Sequence, residues 1–236
     1  MTKSSFLEGK TLLIDKPLEW SSFQVVNKLR WLIRKQFGIK KIKVGHAGTL
    51  DPLATGLLLI CTGKSTKTIN ELQGQIKEYT GTIKLGATTP SYDLETEENA
   101  SFPTKHINRE LIDTNLPNFL GEIEQYPPIF SALKKDGKRL YEFARAGEEV
   151  AIKPRKIMIE SFEVTRFENN EVDFRVVCSK GTYIRSLAHD FGKALNSGGY
   201  LIALRRTKIG DYNVEKAMSV TEFENMLKEL DSDTEN

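Results

Sequence analysis

The sequence predicts an α+β protein with a mixed or antiparallel sheet, and three observations predict it. Strand-like and helix-like segments alternate too irregularly for a doubly wound βαβ pattern. An Asn169-Asn170 turn between two strand-like runs, the second alternating Val172, Phe174, Val176 and Cys178, predicts an antiparallel hairpin. Six or more strands and about five helices are readable along the chain. Its 236 residues, 39% apolar and 28% charged, are ordinary globular material with enough length for a sizeable core.

Taken in order, residues 11–14 read as a short apolar strand ended by Lys16-Pro17, because proline offers no ladder donor. Ser21 or Ser22 caps a helix whose apolar face runs Phe23, Val26, Leu29, Ile33 and Phe37, and Gly38 stops it. Residues 45–56 hold three glycines and a proline and read as a shaped loop. A buried strand follows at 57–61. A short helix then runs from Ser65, its cap, to Leu72. Tyr79, Gly81, Ile83 and Leu85 alternate with polar residues, as a half-buried strand does. Residues 88–104 read as a polar loop and 108–120 as a helix disturbed by Pro117. Residues 126–157 form a Pro-, Gly- and Lys-rich excursion with one short helix at 140–146. The hairpin spans 156–179, a helix spans 182–196, and a strand spans 200–206. Ser219 and Glu222 have the spacing of a capping box for a final helix.

Composition excludes several classes. The longest unbroken apolar run is 57–61, far short of the about 20 residues that a membrane helix needs. The N-terminus lacks an apolar export segment, and Cys61 and Cys178 stand far apart, which suits a reducing cytoplasm. His46, His106 and His189 are not spaced for a metal cluster. The net charge of +2 conceals an asymmetry: residues 220–236 carry −5, which leaves +7 on the rest. Residues 28–43 hold seven bases and no acid, and residues 134–156 hold eight bases against four acids. Each run alone suits a solvated face, but two in a nearly neutral chain suit a polyanion partner.

Three motifs bear on chemistry. Gly63-Lys64-Ser65 looks like the end of a phosphate-binding loop, but Leu58 stands where the first glycine belongs. In the 45–56 loop, Pro52 stiffens Asp51 near His46, which suits either a turn or a catalytic carboxylate. Arg185 falls in the first turn of a helix, where the dipole disfavours a cation; it is either a surface residue or paired with a carboxylate.

Four segments then resemble one family in the right order. GHAGTLDPLATGLLLICTGKSTK is similar to the catalytic-aspartate motif of the TruB family, the bacterial tRNA pseudouridine-55 synthases. LLIDKPLEWSSFQVVNKLR resembles its N-terminal motif, and YPPIFSALKKDGKRLYEFARAGEEV resembles its RNA-gripping insertion. CSKGTYIRSLAHDFGKAL followed by ALRR resembles its third motif. The resemblance implies a pseudouridine-synthase-like fold: a mixed, largely antiparallel sheet flanked by helices, with the insertion at about 126–157. Residues 1–230 would form the catalytic domain, and 231–236 an acidic, disordered tail. Many bacterial members continue into a PUA-type RNA-binding domain, and none is expected here.

By the same resemblance Asp51 is the essential aspartate and His46 lies near the displaced target nucleotide. Tyr79 stacks on the flipped uracil. Tyr183 and Leu204 line its pocket, Arg185 pairs with the aspartate, and Lys16 packs beside the site. The acidic segment after the stacking strand departs from the family, reading Thr88-Thr89-Pro90-Ser91-Tyr92-Asp93, and Asp93 receives no role. The implied reaction turns uridine into pseudouridine at position 55 of the tRNA T arm. It needs no cofactor, metal or guide RNA, and a cytoplasmic monomer suffices. Attack of Asp51 on C1′ and abstraction of the 2′ proton both remain open. A non-catalytic tRNA-binding or tRNA-folding module on the same scaffold is the rival reading.

Overall fold

A computed structural model describes residues 2–131, 133–135, 137–148 and 150–232. The chain opens with helix α1 (Lys3–Glu8), capped by Thr2, and strand β1 (Thr11–Lys16). Helix α2 (Ser22–Phe37) starts at a capping box of Ser21 with Gln24 and ends at Gly38, whose φ of 58° is left-handed. Its buried stripe is Val25, Val26, Leu29, Leu32 and Ile33. Phe23, expected on that stripe, is 63% exposed. Positions three and four before Leu29 are Val26 and Val25, so helical spacing puts Phe23 off the face.

Strands β2 (Val44–His46) and β3 (Ala54–Thr62) take both ends of the expected loop, which shrinks to 47–53. A 3-10 turn (Gly63–Thr68) and helix α3 (Ile69–Gly74) follow. Ser65 lies inside that turn and is not a cap, which corrects the sequence expectation. Then come β4 (Lys77–Leu85), β5 (Ala87–Thr88), β6 (Ala100–Ser101) and helix α4 (Arg109–Asn115). The residues around Pro117 form a 3-10 turn (Leu116–Phe119), so α4 is shorter than expected.

Strand β7 (Gly121–Gln125) leads into the insertion, where β8 (Lys134–Lys135), β9 (Lys138–Arg139) and α5 (Leu140–Ala146) lie. Strands β10 (Arg155–Glu168) and β11 (Glu171–Cys178) make the predicted hairpin, with Asn169 and Asn170 at φ of 52° and 60°. Helix α6 (Ile184–Ala194) is shorter at both ends than expected; β12 (Gly199–Ile209) is longer. Strands β13 (Tyr212–Asn213) and β14 (Met218–Ser219) precede α7 (Val220–Ser232), which begins with the predicted Ser219–Glu222 capping box. The helix reaches two residues into the expected tail; residues 233–236 lie outside the described ones.

The chain forms two compact units. The first takes everything up to Tyr79 and from Arg205 onward; the second takes Thr80–Leu204. In the first, β1 pairs antiparallel with β3 and parallel with β14, and β2 adds to β3 antiparallel. Leu58 and Ile60 of β3 face a core with Phe6, Ile14, Leu29, Ile33 and Phe223; Leu57 and Leu59 face a second core with Ala47 and Ile209. A strand covered on both faces reads as an unbroken apolar run, which is why residues 57–61 do. In the second unit, β10 pairs antiparallel with β7 and β11. Phe162 there meets Phe191 edge-on at 5.4 Å and Phe174 at 5.8 Å. The α+β class and the mixed, largely antiparallel sheet hold. Among the described residues no helix is long and apolar enough to cross a membrane.

Candidate active site

Residues 47–53 join β2 to β3, and three kinds of restraint shape them. Backbone bonds come first: Ala47 N donates to Leu59 O at 2.9 Å, and Ala54 N donates to Asp51 O at 3.1 Å, closing a turn around Pro52. A side chain comes second. The buried Ser22 hydroxyl donates to Leu50 O at 3.0 Å and accepts from Leu50 N at 2.8 Å. Close approach comes third. Gly56 has φ of 103°, and a Cβ there would lie 2.3 Å from the Arg206 carbonyl oxygen.

Two buried cations then grip the loop from its carbonyls. Arg206 is only 1% exposed. Its Nε donates to Leu57 O at 2.8 Å, its Nη2 to Gly48 O at 3.1 Å and its Nη1 to Thr49 O at 3.5 Å. Lys16 is fully buried, and its ammonium donates to Pro17 O at 2.8 Å, Trp20 O at 2.6 Å and Pro52 O at 3.3 Å. Three acceptors match the three donors of a charged amine, so Lys16 is an anchor and not a base. Burial nevertheless pulls its pKa down to about 8; Asp51 opposes that and Arg206 adds to it. No sequence pattern singles out Arg206. In the pair Arg205-Arg206 strand alternation turns one side chain inward, but it does not say which. Arg205 instead forks onto Asp15, at 2.6 and 3.0 Å.

Asp51 thus stands in a loop tied down on both sides, in the field of Lys16. His46 precedes the loop at the end of β2. Burial lowers its pKa, with Arg206 adding to the effect, so it is neutral near pH 7. Its Nδ1 is buried with no partner among the described residues. Tyr79, on β4 of the same unit, is 8% exposed. A fixed carboxylate of this kind stabilises developing positive charge without reorganising, or attacks an electrophilic carbon.

The other predicted residues belong to the second unit. Gln125, itself buried, holds the backbone of Tyr183 from both sides, accepting from its N at 2.8 Å and donating to its O at 3.0 Å. Tyr183 is the residue from which α6 starts, and Leu204 is half-buried on β12. Arg185 is buried, not a surface residue. It donates to Ser91 O at 3.2 Å and Phe130 O at 2.9 Å, and its Nε lies 3.5 Å from Asp93 Oδ2. Asp93, to which the sequence assigns no role, is therefore a buried carboxylate facing this arginine. No local pattern marks it, since its partner lies 92 residues away. Among the described residues no group of His, Cys, Asp and Glu could hold a metal ion.

Comparison with known proteins defines the class first. Residues 34–184 match the N-terminal domain of TruB family pseudouridylate synthases, and residues 185–236 match the C-terminal domain of tRNA pseudouridylate synthase B. A protein of Flavobacterium johnsoniae named tRNA pseudouridine synthase B is 67% identical over 97% of this chain and 100% of its own length. A namesake in Phocaeicola vulgatus is 56% identical over 94% of this chain and 95% of its own. The fold is shared with a solved Cbf5-Nop10-Gar1 complex, at a TM-score of 0.73 and 26% identity over 99% of this chain. The present chain spans 59% of that solved chain. The chain belongs to the TruB family of pseudouridylate synthases.

Proposed function

We propose that the protein isomerises uridine to pseudouridine at position 55 in the T loop of tRNA, alone, without guide RNA, as a cytoplasmic monomer. The observation that carries this reading is Asp51, held in a loop that two buried cations and Ser22 tie down, in a chain 67% identical to a tRNA pseudouridine synthase B. Residues 1–230 act as the catalytic domain, and residues 126–157 grip the RNA. In that insertion Arg145 and Arg139 lie over the Tyr141 ring at 5.4 and 6.0 Å, the basic-aromatic pairing that suits a nucleic-acid strand.

The target base must leave its stack to react. Tyr79 recovers part of the lost stacking, about 1–3 kcal/mol per base–aromatic contact. As the N1 bond to the ribose breaks, C1′ becomes cationic, and the carboxylate of Asp51 stabilises it or bonds to it. The uracil turns, and C5 bonds to C1′ as any Asp51–C1′ bond breaks; the C5 proton leaves to Asp51 or to water and N1 takes up a proton, so that no atom is gained or lost overall. His46, uncharged, takes its place near the displaced nucleotide. For Tyr183, Leu204 and Arg185 the support is their place in the third motif.

The test incubates the purified protein with an unmodified tRNA transcript and maps pseudouridine by chemical labelling, beside Asp51→Asn. A single T-loop mark that vanishes in the variant, with tRNA affinity kept, is the expected result. Turnover by Asp51→Asn would overturn the assignment of the aspartate. A wild-type protein that binds tRNA and leaves no mark would favour the binding-module reading.

A further inference from the structure

Arg185 and His189 lie four residues apart on α6, hence on one face, one turn apart. Their partners are consecutive residues. Asp93 Oδ2 lies 3.5 Å from Arg185 Nε. The Tyr92 ring stacks on the His189 imidazole at 3.9 Å between centroids, with the planes 14° apart. One dipeptide therefore docks on two successive turns of the helix, by an ion pair and by a ring stack.

The dipeptide is held in a conformation that it would not adopt by itself. Tyr92 has φ of 64°, in the left-handed region that side chains other than glycine's avoid. That twist turns the chain so that Asp93 faces α6 directly after Tyr92 has met it. Tyr92 N donates to Thr89 O at 3.1 Å, and Tyr92 O accepts from Leu201 N at 3.0 Å. The other carboxylate oxygen of Asp93 accepts from Glu95 N at 2.9 Å. Asp93 is thus oriented by its backbone, and Tyr92 sets that backbone.

One ring nitrogen of His189, Nδ1, is buried with no hydrogen-bond partner among the described residues. Burial brings its pKa to about 4, with Lys193 adding to the shift, so the ring is uncharged at neutral pH. Its flat face lies against Tyr92.

We propose that the Tyr92–His189 stack is a positioning element for the reaction, locking the 91–96 segment so that the Ser91 carbonyl, by its hydrogen bond, and Asp93, by its charge, hold Arg185 in one orientation. This rests on the reading under Proposed function that Arg185 serves pseudouridine formation. The stack is placed on neither substrate nor reacting atoms; it acts through Ser91 and Asp93.

Three variants of the full chain test it. His189→Ala and Tyr92→Gly remove the stack, and His189→Phe keeps a flat ring without imidazole nitrogens. Tyr92→Gly suits the left-handed backbone and adds no strain there, and a circular-dichroism spectrum and melt of each variant confirm that the fold is kept before rates are compared. With unmodified tRNA transcript as substrate, His189→Ala and Tyr92→Gly should lower kcat about tenfold or more and leave KM within about twofold, because misplacement costs rate before it costs binding. His189→Phe should recover to within about threefold of the wild-type kcat. Amides of residues 91–96 should exchange with solvent faster in the first two variants and at the wild-type rate in His189→Phe. An unchanged kcat in Tyr92→Gly overturns the proposal. So does a His189→Phe variant as slow as His189→Ala, or a rise in KM with kcat kept. If the wild-type protein makes no pseudouridine, the functional reading fails, and the exchange pattern alone decides whether the stack locks the segment.

Discussion

Arg206 ties three backbone carbonyls at and beside the 47–53 loop, those of Gly48, Thr49 and Leu57. Its three carbonyl acceptors lie in different directions, which a planar fork reaches and a single ammonium does not. Arg206→Lys should leave at least one buried carbonyl unpaired, at a cost of about 1–3 kcal/mol. Turnover should fall at least about tenfold while tRNA affinity stays, because the loop that carries Asp51 loosens. Thermal melts and single-turnover rates check both; an unchanged rate would show that the loop holds its shape without the guanidinium. Lys16 makes the pH prediction. Its folded pKa of about 8 lies below the ordinary 10.5, chiefly through burial. Between those values the unfolded chain binds the extra proton, so this group favours folding more, not less, as the pH rises. Above about pH 8, however, the amine loses its charge beside Asp51 and one donor to the loop carbonyls. Turnover should therefore decline with an apparent pKa near 8 with no Lys16-linked loss of melting temperature in the same window. A rate profile flat from pH 7 to 9 would refute it.

Elements place these residues through their ends. The start of α2 supplies Ser22 to the loop, and the start of α6 supplies Arg185 and Ser186, whose hydroxyl donates to Tyr126 O at 2.7 Å. Helix α6 thereby holds both the 91–96 segment and the first residues of the insertion. At the other end of the chain, α7 puts Phe223 and Leu227 into the core against α2 and β1. Its start depends on reciprocal bonds between Ser219 and Glu222, at 2.7 and 3.1 Å. Ser219→Ala should cost about 1 kcal/mol, and lower the melting temperature by about 2–4 °C in a chain of this size. The activity at 25 °C should not change, since the cap touches nothing in the loop. Thermal unfolding followed by circular dichroism, beside the rate assay, tests the separation.

Across the whole molecule, charge decides how the RNA is met. The −5 of residues 220–236 leaves the remainder at +7, and the two basic runs concentrate that excess. Affinity for tRNA should fall steeply with salt. Replacing Lys134, Lys135 and Lys138 together by alanine should make the log–log slope shallower by about 0.7–0.9 for each phosphate that is no longer neutralised. An unchanged slope would move the phosphate-binding residues elsewhere, to the 28–43 run first.

The loop around Asp51 is singled out by family resemblance alone, since its residues suit a turn as well as a catalytic carboxylate. The sequence by itself determined the α+β class, the hairpin at Asn169-Asn170 and the cap at Ser219. These are local: turn residues, capping side chains and apolar period act within a few residues of one another. Only the tertiary structure decided that Arg206 and not Arg205 enters the core, and that Asp93 faces Arg185. Each of those depends on a partner from a distant part of the chain. A buried charge is tolerated only where folding has already gathered enough carbonyls or a counter-charge to replace its water, and no stretch of the sequence read alone can count them.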